Sequence, residues 1–148
     1  MKSVRNRERG ASLPETAIVM GVVLALIFAV IDFGRAMYTY AFVAQLAREG
    51  ARWAIVRGAQ CTQLDHCNAS SSDVQTYVQS LSEGATTASN IGASAQWPTC
   101  PAGAASTNSP GCTVQVTVWY PFKFMLPYMP GPNMQIRMSS TSQMVISQ

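Results

Sequence analysis

The pattern of apolar and polar positions divides the chain into three stretches. Thr16 to Ile31 (TAIVMGVVLALIFAVI) is sixteen residues without a charge, and extending it back to Leu13 gives nineteen residues with a single carboxylate, Glu15. At 1.5 Å per residue, nineteen helical residues reach roughly 28 Å, enough to cross the hydrocarbon core of a bilayer. Past Ile31 the chain becomes amphipathic without losing its helical signal. Phe33 to Arg57 has no Pro, has Gly only at 34 and 50, and carries Phe33, Met37, Tyr40, Ala44, Ala47, Ala51 and Ala54 at three- and four-residue spacing. That spacing predicts one helical stripe. Glu49 and Arg52 are placed to pair on the outward face. A single helix is therefore expected from Leu13 to Arg57, 45 residues or roughly 67 Å, with Gly58 as its stop.

Beyond Gly58 the periods shorten. Asp73 to Glu83 (DVQTYVQSLSE) has Val74, Val78 and Leu81 at helical spacing, Asp73 as a candidate cap and Gly84 as a stop. Thr113 to Trp119 (TVQVTVW) alternates strictly, with Val114, Val116 and Val118 on one face, as a half-buried strand does. Met134 to Ser147 alternates too and is expected to pair antiparallel to it. The connection from Tyr120 to Asn133 holds Pro121, Pro127, Pro130 and Pro132, which argue against regular structure there. Its aromatic side chains, Tyr120, Phe122, Phe124 and Tyr128, are expected to be core under the sheet. A weaker strand is expected at Ser94–Trp97. The fold class is α+β: a long N-terminal helix leading into a small cap of one helix and about three antiparallel strands.

Charge gives this layout a direction. Of the 148 residues only 11% are charged, less than half the ~25% usual in soluble domains. Lys2, Arg5, Arg7 and Arg9 against Glu8 place the whole net charge of +3 in the first ten residues, and the six basic and six acidic residues that follow cancel. The positive-inside rule then puts the N-terminus in the cytoplasm and exports the remainder. A removable secretory signal is the bland alternative, but Ile31-Asp32-Phe33-Gly34-Arg35 offers no small-x-small cleavage pattern. No basic patch spreads over the later chain, so direct nucleic-acid binding is not expected. One His, no Gly-rich phosphate loop, no Ser/His/Asp set and no paired-carboxylate motif argue against an enzyme, and no cofactor is implied.

Residues 59–148 contain all four cysteines, Cys61, Cys67, Cys100 and Cys112. In an exported domain these read as disulfides, for which three connectivities exist. The spacing favours the local pairs Cys61–Cys67 and Cys100–Cys112, the second closing the loop PAGAASTNSPG. A metal site with His66 is the rival, but C-x5-C and C-x11-C miss the usual zinc spacings, so no metal is assigned. His66 reads as a plain loop residue.

The most specific text in the chain stands where the helix begins: Arg9-Gly10-Ala11-Ser12-Leu13-Pro14-Glu15. Read structurally, Ser12 is an N-cap and Glu15 its N3 partner, with Pro14 near the helix start where its missing N–H is harmless. A short basic leader, a Gly, and a Glu five residues later opening a long apolar helix also resemble the type IV pilin signal. Asp32-Phe-Gly-Arg-Ala-Met-Tyr and Ala47-Arg-Glu-Gly-Ala-Arg-Trp-Ala resemble the TadE-like family of tight-adherence (Tad/Flp) pilus systems in particular. The resemblance covers about residues 9–58.

It implies cleavage between Gly10 and Ala11 by a prepilin peptidase, leaving a basic leader 1–10, a helix over 11–58 that spans the membrane at about 13–31, and an exported part, 59–148. It also implies that Glu15 is needed for processing or assembly, in the latter case by neutralising the new ammonium group of Ala11 on a neighbouring subunit and so setting the register. Pro14 departs from the familiar pilin pattern, but its clash would be with the carbonyl of Gly10, which cleavage removes. The expected protein is a minor pseudopilin of a bacterial inner membrane, single-pass with its C-terminal part periplasmic, partnered by other pilins, the assembly platform and membrane lipid. A permanently anchored extracytoplasmic binding protein and a major pilus subunit are the alternatives.

Overall fold

A computed structural model describes residues 12–82, 90–125 and 135–147. The elements run α1 (Ser12–Ile55), α2 (Ser71–Leu81), β1 (Gly92–Thr99), β2 (Thr113–Lys123) and β3 (Gln135–Val145). The strands form one antiparallel sheet in the order β1-β2-β3, with α1 packed across β2 and β3, and α2 packed across β1 and beside α1. This is the α+β arrangement expected of a long apolar helix followed by a helix and three strands.

The alternation in β2 determines which side is buried. Val114, Val116 and Val118 are fully buried toward the helices, while the opposite face pairs Gln115 with Gln143 and Thr117 with Thr141 by side-chain hydrogen bonds of 2.9 and 3.0 Å. From α1 the buried hydrophobic side chains are Val43, Leu46, Ala47, Ala51 and Ala54. Mostly small side chains there let the helix axis come close to the sheet, and Gly50 marks the tightest point. A Cβ on it would lie 3.0 Å from Val78 Cγ2 and 3.2 Å from Val116 Cγ1, so α1, α2 and β2 meet at this residue.

Lengths match as well. The 24 residues from Asp32 to Ile55 rise roughly 35 Å, and the eleven residues of β2 or β3 cover about the same distance. The sheet therefore accompanies the second half of α1 along its whole length, tied at the far end where Ser147 N–H donates to Ile55 O (3.1 Å).

Several sequence expectations are corrected. The predicted stripe holds only in its second half: Ala47, Ala51 and Ala54 are buried, whereas Phe33, Met37 and Tyr40 are all more than half exposed. The face that turns inward near Ile31 is instead the one bearing Asp32. The helix ends at Ile55, and Gly58 is not its cap; the Gly58 carbonyl accepts N–H bonds from Cys61 and Asn68 and organises the following loop.

Strand β2 runs on through Tyr120, Pro121, Phe122 and Lys123. Pro121 is tolerated because β1 stops opposite Trp119, so beyond that point β2 has a neighbour on one side only, where Pro121 stands opposite Arg137. Phe122 is buried and Tyr120 packs against the core, as expected; Tyr128, Pro127, Pro130 and Pro132 lie outside the described residues. The weak strand is longer than expected, Gly92–Thr99, with an irregular register between Gln96 and Thr99. In α2 the N-cap is Ser70 and Asp73 is its N3 partner in a capping box; Leu81 is 42% exposed, and Gly84 lies outside the described residues.

Candidate functional site

The first twenty residues of α1 define one half of the site. From Leu13 to Ile31 every side chain is exposed, with Leu13, Ile18 and Val30 each 70% or more accessible. A helix apolar on all sides whose side chains are all exposed differs from the core helix of a soluble domain, which is buried. Only 6% of its most apolar eighteen-residue window is buried, and the helix is long enough to cross a membrane. Single-pass anchoring is compatible with this.

At its start, Glu15 is exposed in the first turn, where a carboxylate is favoured by the positive end of the helix dipole. Pro14 also sits in that first turn. Gly10 and Ala11, the expected processing site, lie outside the described residues, as does the side chain of Ser12, the expected cap.

Asp32 ends the apolar run, and sequence reading assigned it no role. It is buried, and both its oxygens accept from the backbone N–H of Met125, at 3.2 and 3.0 Å. Arg35 Nη1 donates to the same carboxylate at 3.0 Å. The Arg35 guanidinium also stands 5.5 Å from the Phe122 ring centroid, and Phe122 meets Phe124 edge-on at 5.2 Å. A buried carboxylate is tolerated because an N–H and a guanidinium satisfy it. The Asp32/Arg35 spacing of three residues at the end of an apolar run was the available signal; its third partner, a backbone N–H far along the chain, had none.

The far end of α1 is held by covalent and polar ties. Cys61–Cys67 and Cys100–Cys112 are disulfides, so all four cysteines are bridged. Asn108, buried between the two bridged loops, joins them: its carbonyl accepts from Ala59 N–H at 2.8 Å, and its Nδ2 donates to Ala69 O at 3.2 Å. Trp53 stacks on Tyr77 at 5.0 Å with the Arg57 guanidinium 4.2 Å from its ring centroid. His66 is in the left-handed region (φ 56°) and places Nδ1 3.4 Å from Asp73 Oδ1. The Ser70 hydroxyl and backbone N–H, with His66 nearby, hold the Asp73 carboxyl below the usual range.

The arrangement defines a protein with an exposed membrane-length helix whose second half is the spine of a small disulfide-bonded α+β cap. Residues 10–52 match the TadE-like protein family, a family of Tad pilus-associated proteins. The match begins at the expected scissile glycine and covers nearly all of α1, and it stops before α2 and the sheet. No curated protein and no solved structure matches the chain.

Proposed function

We propose that the chain is a minor pseudopilin of a Tad/Flp-type pilus or a related secretion filament. It is inserted in the inner membrane with its basic leader in the cytoplasm, cleaved after Gly10 by a prepilin peptidase, and built into a filament through α1. The observation that carries this reading is α1 itself: one unbroken helix, apolar and exposed over Leu13–Ile31, committed to the cap from Asp32 onward. Such a helix buries its bare half either in lipid or against the helices of other subunits, so it can pass from one to the other without refolding the cap.

The mechanism is assembly rather than catalysis. Burial of α1 among other pilins contributes the affinity, and pairing of Glu15 with the ammonium group of Ala11 on a neighbour sets the axial register, since a charge left unpaired in that environment would be strongly destabilising. A cap of one helix and three strands makes a minor subunit the better reading than a major one. In the Flp systems that the sequence resembles, the major pilins are little more than one helix.

Intact mass and N-terminal sequencing of protein from native membranes, with and without the peptidase, test the proposal. An N-terminus at Ala11 that depends on the peptidase supports it. An N-terminus at Met1 in both strains would identify a permanently anchored binding protein instead. High abundance in purified filaments would make the chain a major subunit.

A further inference from the structure

A cleft of about 880 Å³ opens where α1 leaves its apolar run and the near end of the sheet begins. Ile31, Arg35 and Tyr38 line it from the helix, and Lys123, Asn90 and Gln135 from the sheet side. A shallower hollow of about 370 Å³ shares Asn90, Pro121 and Gln135 with it and adds Trp119 and Arg137. Three cations thus border a depression made of these two adjoining hollows, Arg35 and Lys123 the first and Arg137 the second.

The opposing charge there is small. Asp32 is buried and already engaged by Met125 N–H and Arg35, so its charge is directed at those partners. No ion pair joins Lys123 or Arg137 to a carboxylate among the described residues. Arg137 is held in place by Trp119, whose ring centroid is 4.5 Å from the guanidinium carbon, and Trp119 in turn lies over Gly92, where a Cβ would collide with the indole. The amides of Asn90 and Gln135 and the phenol of Tyr38 supply neutral donors.

The lower rim of the cleft is apolar. Ile31, Ile27 and Leu24 follow one another at helical spacing and are between 45% and 49% exposed, so they form a track leading from the cleft into the membrane segment. A cationic hollow at the end of an apolar track has the shape of an amphiphile with an anionic head. We propose that this depression binds an anionic phospholipid of the outer leaflet, its phosphodiester between Lys123 and Arg137 and an acyl chain along Ile31, Ile27 and Leu24. The inference rests on the reading of α1 as a membrane span.

The test uses the full chain in nanodiscs of phosphatidylcholine doped with phosphatidylglycerol, with retained lipid counted by native mass spectrometry. The wild-type protein should retain phosphatidylglycerol above its share of the disc. Lys123→Gln and Arg137→Gln should each lower that enrichment about fivefold, the effect expected of one basic residue near an anionic surface, and Lys123→Arg should keep it. The basic leader is common to all variants, so the differences between them report on the cleft. Equal enrichment in the wild type and the double variant, with the protein inserted, would overturn the inference and leave the membrane span standing. Failure of the chain to enter the discs would overturn both. Loss of enrichment on adding inorganic phosphate at constant ionic strength would identify free phosphate as the ligand and overturn the lipid assignment.

Discussion

The carboxylate of Asp32 and the backbone N–H of Met125, 93 residues apart in sequence, hold the end of β2 against α1 at the point where the helix leaves its apolar run. Hydrogen bonds to a charged group contribute about 1.5–3 kcal/mol, so Asp32→Ala should destabilise the cap by about 2 kcal/mol. The loss should be local. Hydrogen exchange should show the Met125 amide opening, while Ser147 N–H, bonded to Ile55 O at the far end, keeps its protection. Equal loss at both ends would mean that the clamp supports the whole cap rather than its near end.

Gly50 is the contact point of three elements, and its substitutions should separate helix propensity from packing. Alanine gains about 1 kcal/mol of helix propensity over glycine but brings a Cβ within 3.0 Å of Val78, so Gly50→Ala should be close to neutral. Gly50→Leu has no room between Val78 and Val116 and should cost about 1–3 kcal/mol, as overpacked cores do. Urea unfolding of the two variants in detergent checks both signs, and a Leu variant as stable as wild type would show that α2 can move away without loss.

The two disulfides close loops of different size, with sequence separations of 6 and 12. Chain-entropy arguments give about 2 kcal/mol for the shorter and about 3 kcal/mol for the longer. Cys112 is also fully buried, and its carbonyl accepts from Ile146 N–H at 2.8 Å. Replacing Cys100 and Cys112 by Ser should therefore lower the unfolding midpoint more than replacing Cys61 and Cys67. The opposite ranking would place the weight of stabilisation in the 61–67 loop.

What was legible in the sequence follows from how local each signal is. Apolar runs, the alternation of Val114, Val116 and Val118, and cysteines six or twelve residues apart are short-range patterns, and they locate α1, β2 and the bridged loops. Pro121 misled because its meaning depends on where β1 ends, which is a property of another strand. The stripe through Phe33, Met37 and Tyr40 misled for a related reason: spacing identifies a face of α1 but not the side on which the sheet lies. In the candidate site, the place of Glu15 in the first turn of α1 was visible from its motif. The role of Asp32 was not, since its main partner is a backbone N–H that any residue at position 125 other than proline would supply.

Asp73 gives the cap a pH dependence with a definite sign. Its pKa is lowered mainly by the Ser70 hydroxyl, then by the Ser70 backbone N–H and by His66, so the stabilisation is complete above the unfolded carboxyl's range near 4 and is lost as pH falls through the lower folded value. Helix α2 should accordingly fray at its N-terminus in acid while β2 and β3 remain paired. Amide exchange at Val74, followed from neutral pH to below pH 4 and corrected for the intrinsic rate, checks this. Asp73→Asn should remove most of the pH dependence, and Ser70→Ala should cost about 1 kcal/mol at neutral pH. An unchanged acid response in Asp73→Asn would move the effect to another group.

Glu15 stands exposed at the start of a bare apolar helix, a position where a carboxylate contributes little to the isolated subunit beyond its favourable place on the helix dipole. If insertion and cleavage are set by the leader, the glycine and the apolar run, as the proposed function has it, Glu15→Gln leaves all three intact and an N-terminus at Ala11 should persist in that variant. Filament incorporation should fall by at least about tenfold, equivalent to roughly 1.4 kcal/mol, because Gln cannot neutralise the ammonium group of a neighbour as that group leaves water. Glu15→Asp, which keeps the charge on a shorter arm, should recover part of the loss. Quantifying the processed protein in membranes and in sheared filaments separates the two steps. Full incorporation of the Gln variant would remove Glu15 from the assembly mechanism and leave it as a helix-start residue, whereas loss of cleavage in the same variant would place its role with the peptidase rather than with the neighbouring subunit.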